Sequence, residues 1–252
     1  MTLTIDLNAD LGESFGNYTV GNDDKIIPLI SSANVACGFH ASDPKVMLET
    51  VKLIKESGAG LGAHPGFPDK EGFGRRYMDC TDEEIYSMVL YQLSALDGIA
   101  RTVGVEMNHV KPHGALYNAT FTDKNLARVI AQAVKDFNPK LKLMGLSENN
   151  LVKAGEEIGL QVVHEVFLDR AYENDGTLVS RRKEGAMITD SKLAVERGIR
   201  MLTEGKVETI DGTDIDIKAD SICVHGDGEK ALQFVREIKS ALEAKGIEIQ
   251  TM

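Results

Sequence analysis

Titratable side chains follow short apolar runs at six places in this 252-residue sequence. In chain order they are Asp10 with Glu13, His40, His64, Lys111 with His113, Glu165 with Asp169 and Arg170, and His225 with Asp227. Carboxylates and imidazoles exchange protons in catalysis, and lysine or arginine stabilises negative charge that develops in a reaction. If the fold gathers these segments, they form a site for acid–base chemistry. The predicted catalytic residues are Asp10, Glu13, His40, Lys111, His113 and Asp169.

Asp10 and Glu13 are the candidates for general base and electrostatic stabiliser. Two carboxylates in a confined site raise the pKa of one of them, so the pair can divide these two roles. Glu13 has a second interpretation as a loop cap or ion-pair partner, because structural ion pairs are common among carboxylates. Asp10 is therefore predicted to be functional, and both interpretations of Glu13 stay open.

Asp10, His64 and His113 also form a candidate ligand set for a divalent metal, since one carboxylate and two imidazoles suit such an ion. A metal-free acid–base cluster would use the same residue types. The three residues come from separate segments rather than from a local motif such as HExxH, so spacing does not separate these alternatives. His109 and His164 alternate within apolar runs and are interpreted as structural.

Adjacent arginines occur on both of the long segments that interrupt the predicted elements, Arg75-Arg76 between Pro65 and Cys80 and Arg181-Arg182 between Asp169 and Thr189. Guanidinium groups bind carboxylates through two parallel hydrogen bonds, so these segments are predicted to hold an acidic substrate. Solvation of the surface explains about half of such arginines equally well. The segment from His225 to Lys230 leads from a strand through small residues into a helix N-terminus, which is a candidate anion site. The predicted substrate-binding residues are Arg75, Arg76, Arg170, Arg182, His225 and Asp227.

These side chains need a scaffold that brings distant segments together. Short apolar runs alternate with amphipathic stretches, which is typical of βα units built on a parallel sheet. In a parallel barrel the carboxyl ends of all strands meet at one rim, so the predicted site residues should converge there. The seven predicted strands are Leu3 to Asn8, Ser32 to Ala36, Gly60 to His64, Met107 to Pro112, Leu141 to Leu146, Gln161 to Phe167 and Ser221 to His225.

Helix boundaries are marked by capping residues. Asp43-Pro44 supplies an N-cap followed by proline, and Thr81 to Glu84 is a capping box. Further helices are predicted from 123 to 137, 148 to 158, 190 to 204 and 228 to 245. The segment from Val207 to Lys218 contains Asp211-Gly212 between alternating residues, which predicts an antiparallel hairpin before the last strand. No linker interrupts the pattern, so residues 1–252 are predicted to form one α/β domain.

The acidic composition argues against several classes of partner. Lys and Arg number 28 against 39 Asp and Glu, and the formal charge of -11 repels nucleic acid and anionic lipid. The amino-terminal residues lack the features of a signal peptide, and no apolar run approaches a spanning helix, so a cytoplasmic location is predicted. Cys37, Cys80 and Cys223 are predicted to be reduced thiols. The sequence contains no Walker A pattern and no GxSxG element.

Six ordered motifs resemble one known family over essentially the full length. They are DLNADLGESFG from Asp6, NVACGFHA from Asn34, GAHPG from Gly62, GFGRR from Gly72, VKPHGALYN from Val110 and VHGD from Val224. This set is similar to the LamB/YcsF family, whose members are the A subunits of 5-oxoprolinase. Ser42 stands where the family pattern leads us to expect glycine.

The resemblance implies a (β/α)7 TIM-like barrel of the glycoside hydrolase/deacetylase type. It also implies that the chain acts with partner subunits B and C in the ATP-driven hydrolysis of 5-oxoproline to glutamate, with ATP and Mg²⁺ as a substrate of the complex. Under that hypothesis Asp10 or Glu13 positions water, Lys111 offsets charge on the carbonyl oxygen, and His113 donates a proton to the ring nitrogen. Two alternatives stay open, namely a metal-dependent deacetylase of sugar amides and a non-catalytic substrate-binding subunit.

Overall fold

Seven parallel strands close into a barrel, as the sequence predicts. The computed structural model describes residues 3–224 and 229–252. The first strand pairs on one side with the second and on the other with the last barrel strand, which closes the sheet. The barrel strands are β1 (Thr4–Leu11), β2 (Ser32–Ala36), β3 (Gly60–His64), β4 (Met107–Val110), β5 (Lys142–Leu146), β6 (Val162–Phe167) and β9 (Ser221–Cys223).

Helices cover the outside of the barrel and begin at the predicted caps. The Asp43 carboxylate accepts hydrogen bonds from the backbone N–H groups of Lys45 and Val46, and Thr81 forms a complete capping box with Glu84. The helices are α1 (Asp23–Ile26), α2 (Pro44–Ser57), α3 (Asp82–Val103), α4 (Gly114–Ala119), α5 (Lys124–Phe137), α6 (Asn150–Glu157), α7 (Ser191–Glu204) and α8 (Glu229–Ala244), with a short 3-10 turn at Ile27–Leu29. In the described part of the chain, none of the helices is long and apolar enough to cross a bilayer.

The predicted hairpin is present as β7 (Lys206–Glu208) and β8 (Asp214–Asp216), which pair antiparallel. A further strand that the sequence did not indicate, β10 (Glu248–Ile249), adds to the amino-terminal half of β1. The predicted first strand was too short, because β1 continues to Leu11 and carries Asp10 within it. The polar residues of this strand hid its length, since they face a polar barrel interior instead of an apolar core.

A column of hydrogen-bonded polar side chains fills the barrel interior, where apolar layers are usual. The Asp6 carboxylate accepts hydrogen bonds from Ser31, Ser32 and Ser221 at the amino-terminal end of the strands. Nearer the opposite end, the Asn34 amide donates to Asn8 at 2.8 Å and to Asp10 at 2.9 Å. The column therefore reaches the rim where the predicted site residues lie.

The two long segments are structured rather than open loops. In the first, Arg76 forms an ion pair with Asp69, which turns the segment back on itself. In the second, isolated bridges join Arg170 to Met187 and Tyr172 to Leu178. Both segments therefore fold over the rim as fixed walls.

Candidate active site

A cavity of about 440 Å³ opens at the carboxyl ends of the strands. Its polar side chains divide into an acid–base set and a set of three arginines, and aromatic and aliphatic groups cover the remaining surface. The polar and ionisable lining residues are Asp10, Glu13, His64, Arg75, Lys111, His113, Tyr117, Asn118, Arg170, Ser180 and Arg181. A volume of this size holds a small molecule.

The structure brings most of the predicted catalytic residues to this rim. Asp10, Glu13, Lys111 and His113 line the cavity, whereas His40 lies beneath its wall and is buried. Asp169 follows β6 but is not among the described residues that line the cavity.

The predicted substrate-binding residues separate into three groups. Arg75 and Arg170 line the cavity, whereas Arg76 is held by Asp69 and Arg182 is exposed and outside the lining. His225 and Asp227 lie outside the described residues, and so does the predicted helix-start anion site. In each adjacent pair, Arg75-Arg76 and Arg181-Arg182, only the first arginine lines the cavity.

His64 and His113 face one another through nitrogens that carry no proton in the neutral rings. His64 donates its Nδ1–H to the carbonyl of Lys111 at 2.7 Å, and His113 donates its Nε2–H to the carbonyl of Phe73 at 2.8 Å. A carbonyl only accepts hydrogen bonds, so these contacts fix both tautomers. The remaining nitrogens, His64 Nε2 and His113 Nδ1, lie 3.0 Å apart with two lone pairs directed at one gap. A proton or a cation is needed between them.

Two carboxylates border the same gap. Asp10 Oδ2 lies 3.3 Å from His64 Nε2, and Glu13 Oε1 lies 3.9 Å from His113 Nδ1. One donor atom from each of Glu13, His40, His64 and His113 falls within 4.8 Å of the others. The gap is therefore surrounded by four potential ligands of a metal ion, with Asp10 as a fifth group in contact.

His40 stacks on His113 with parallel rings, 3° apart in orientation and 3.7 Å between centroids. Neither ring nitrogen of His40 has a hydrogen-bond partner among the described residues. The close stack is made possible by Gly74, where an added Cβ would lie 2.6 Å from the Cβ of His40 and 2.8 Å from the His113 ring. His40 thus supports the His113 ring from one side.

Burial keeps the imidazoles of His40 and His113 neutral. It lowers the pKa of His113 to about 3, with a further contribution from His64, and it lowers the pKa of His40 well below its ordinary value, with contributions from His113 and His64. Neutral imidazoles are the form that accepts protons or binds metals.

Lys111 is enclosed by carboxylates from two strands. Its Nζ lies 3.1 Å from Asp10 Oδ1 and 2.6 Å from Glu165 Oε1, and the hydroxyl of Tyr117 donates to Glu165 Oε2 at 2.7 Å. Burial opposes the charge of this lysine, but the Asp10 and Glu165 carboxylates outweigh it and raise the pKa of Lys111 well above its usual value. Lys111 therefore stays charged and fixes the position of Asp10.

Tyr117 is a site residue that the sequence prediction did not include. Tyr117 stands four residues after His113, so a helix that starts at His113 places both on the same side, and this spacing was a usable signal. Glu165 was placed by the sequence near the end of the sixth predicted strand, but its ion pair with Lys111 was not predicted. Its partner Lys111 follows β4, and only the fold shows that they meet.

Comparison with known proteins places the chain in a family. A model of the LamB/YcsF family matches residues 5–252. The chain belongs to the LamB/YcsF family. It is 55% identical over 250 residues, 99% of this chain and 100% of the relative, to a protein from Staphylococcus haemolyticus that is named as the A subunit of 5-oxoprolinase. A relative with the same name from Clostridium beijerinckii is 57% identical over 97% of this chain and 96% of its own length.

The LamB/YcsF fold is also present in a solved structure. The crystal structure of a lactam utilization protein from Thermus thermophilus matches with a TM-score of 0.94 and 46% identity, over 99% of this chain and 100% of that one. The match covers the barrel and both segments that wall the cavity.

Proposed function

We propose that this chain is the A subunit of an ATP-dependent 5-oxoprolinase and that it opens a cyclic amide in the rim cavity. The observation that carries the proposal is the pairing, in one cavity of about 440 Å³, of acid–base groups with arginines. Opening a lactam requires an attacking water, stabilisation of the carbonyl oxygen and a proton for the leaving nitrogen. The names of the relatives in Staphylococcus haemolyticus and Clostridium beijerinckii support the same conclusion.

The acid–base roles are assigned from position. Asp10 is held by Lys111 and borders His64, so it orients or deprotonates the attacking water. Because the Nε2–H of His113 is held by the carbonyl of Phe73, only its Nδ1 can pass a proton. If a proton occupies the gap, Nδ1 delivers it to the ring nitrogen as the carbon–nitrogen bond breaks. If a cation occupies the gap, His113 is its ligand, and Asp10 passes the proton that it took from the water to the ring nitrogen. Lys111 acts on Asp10 rather than directly on the carbonyl oxygen, because two carboxylates already surround its ammonium group.

We further propose that a first-row divalent cation occupies the gap between His64 and His113. Two nitrogens bound at about 2.0–2.1 Å to zinc lie roughly 2.9–3.4 Å apart, and the observed separation is 3.0 Å. Asp10 and Glu13 supply the carboxylate oxygens. The ring of His40 is parallel to that of His113, so its lone pairs cannot meet the same point, and we assign it to support His113. Such an ion supplies Lewis acidity for an amide carbonyl.

The metal proposal has a direct measurement. Protein purified without chelator should contain close to one equivalent of a transition metal by elemental analysis, and His64→Ala should lose it. A chain that is metal-free as purified and does not bind added zinc would leave the shared proton as the occupant of the gap.

ATP coupling is proposed to need partner subunits B and C. The sequence contains no Walker A pattern. Phosphorylation of the amide oxygen would make the lactam carbon a better electrophile, and a partner that binds ATP with Mg²⁺ would supply that step.

The test of the function is a reconstitution with co-purified partner subunits. The complete complex should convert 5-oxoproline to glutamate with stoichiometric formation of ADP and phosphate. Absence of turnover, together with release of acetate from N-acetylated sugars by the chain alone, would support the deacetylase alternative. If rim variants leave turnover intact while weakening substrate binding, the chain is a binding subunit only.

A further inference from the structure

We infer that Arg170 and Arg181 form an anion subsite that takes the oxyanion group of the substrate at the cavity wall built by the segment from 169 to 189. The inference rests on the proposed function for the identity of the substrate. It concerns the part of the cavity that the acid–base chemistry does not use. The relevant chemistry is a carboxylate or a phosphoryl group, each of which pairs with guanidinium through parallel hydrogen bonds.

Arg170 is held in place at the wall and keeps most of its donors. The residue is only 8% exposed, and one amino group donates to the carbonyl of Val179 at 2.6 Å. Its backbone is fixed by the bridge to Met187. The Nε–H of this guanidinium is buried and has no acceptor among the described residues. A buried cation with unused donors carries a cost that an anionic ligand would remove.

Arg181 reaches the same cavity from the turn that follows. The N–H of Lys183 donates to the carbonyl of Ser180 at 2.9 Å, so Arg181 and Arg182 are the two central residues of a tight turn. Successive residues of such a turn point in different directions. Arg181 lines the cavity, and Arg182 does not.

The two guanidinium groups repel one another. Burial lowers the pKa of Arg170, and the charge of Arg181 lowers it further, while the adjacent Asp169 opposes the shift in part. Two cations on one cavity wall are stabilised when an anion bridges them, which is the usual arrangement in carboxylate and phosphate sites. Lys111, by contrast, already has two carboxylate partners, so it does not compete for the same ligand.

The experiment measures binding of 5-oxoproline to the reconstituted complex by calorimetry, with 5-oxoprolinamide as the probe that lacks the carboxylate charge. Arg181→Gln and Arg170→Gln should each weaken binding of 5-oxoproline roughly tenfold or more and leave binding of the amide within about twofold. Arg182→Gln is the matched control, since it neighbours Arg181 but faces away, and it should bind both probes as the unaltered complex does. Arg170→Lys keeps the charge and should recover part of the affinity if Arg170→Gln is poorly folded.

A second probe, inorganic phosphate, separates the two kinds of oxyanion. If phosphate binds the unaltered complex and the Arg181→Gln complex equally, the subsite takes the carboxylate. Loss of phosphate binding in Arg181→Gln, with 5-oxoproline binding unchanged, assigns the subsite to a phosphoryl group.

The subsite and the proposed function fail in different ways. If the unaltered complex neither binds nor hydrolyses 5-oxoproline but binds phosphate in a manner that needs Arg181, the subsite stands and the function is wrong. If 5-oxoproline is hydrolysed and bound with unchanged affinity by Arg170→Gln, Arg181→Gln and the double variant, and phosphate binding is unchanged as well, the subsite is wrong and the function stands.

Discussion

His113 combines three contacts that fix its chemistry. Its Nε2–H is used by the carbonyl of Phe73, its ring is stacked on His40, and its Nδ1 faces His64. The residue types at this site were visible in the sequence, because each follows an apolar run. The tautomers of His64 and His113 could not be predicted from the sequence. They depend on the carbonyl groups of Lys111 and Phe73, whose positions only the folded chain defines.

Replacement of His113 should remove activity without unfolding the chain. We expect His113→Ala to lower kcat of the complete complex by about 10²–10⁴-fold, the usual contribution of a positioned acid–base group. His164→Gln is the control, since His164 is buried outside the cavity. Glutamate release measures the rate and a thermal melt measures folding. A fully active His113→Ala complex, or a variant that fails to fold, would contradict the assigned role.

His109 should make the stability of the chain depend on pH. Burial, followed by the charge of Lys111, lowers the pKa of His109 to about 3, whereas an unfolded histidine titrates near 6.5. Between these values the unfolded chain binds a proton that the native chain does not, so the free energy of unfolding falls as the pH falls through this window. Lys142, His64 and Asp10 also act on the ring, with Asp10 opposing the shift.

The measurement is urea unfolding of the unaltered chain and His109→Gln at several pH values between about 4 and 6.5, with chelator present. Glutamine keeps an N–H donor for Asn34, which His109 Nε2 contacts at 2.7 Å. The slope of unfolding free energy against pH should be smaller in the variant by up to about 1.4 kcal/mol per pH unit. Identical slopes would show that His109 is protonated in the native state.

At the scale of single elements, the capping residues and the β-branched runs predicted most of the structure. The capping box at Thr81 and the cap at Asp43 start α3 and α2 where expected. β10, α1 and α4 escaped prediction because they are two, four and six residues long, too short for periodicity to be visible. The length of β1 was underestimated for a different reason, since its polar residues face hydrogen-bond partners inside the barrel.

Ser42 gives an element-scale prediction, because it stands between β2 and α2 with a positive φ of 71°. The left-handed region costs a residue with a side chain about 1–2 kcal/mol. Glycine avoids this strain, but it is more flexible in the unfolded chain, and the entropy that it loses on folding offsets part of the gain. We expect Ser42→Gly to raise the free energy of unfolding by roughly 0.5–1 kcal/mol. Ser42→Ala keeps the strain and serves as control. Equal stability of the two variants in urea would remove strain as the explanation.

At the scale of the whole molecule, the barrel explains why the site residues could be predicted as a group. Parallel strands end at one rim, so residues at strand ends meet whatever their distance in sequence. Which members of a pair face inward could not be predicted, as Arg75 with Arg76 and Arg181 with Arg182 show, because turn geometry decides it. The single-domain extent of the chain stays a prediction.

Dependence on partners is the prediction for the whole molecule. The purified chain alone should hydrolyse neither ATP nor 5-oxoproline, and adding subunits B and C should restore turnover of both. Release of ADP and of glutamate are measured separately, with the B and C subunits alone as control. ATP-dependent lactam hydrolysis by the single chain would show that its nucleotide site had been overlooked.

The polar column inside the barrel limits how this sequence can change over evolutionary time. Asn8, Asn34 and Lys111 each contact partners on other strands, so one substitution leaves a polar group on another strand without its bond. An apolar interior drifts by exchanging one aliphatic side chain for another of similar volume. Here a lineage has to replace donor and acceptor together, and interior positions on different strands are therefore expected to vary in correlated pairs.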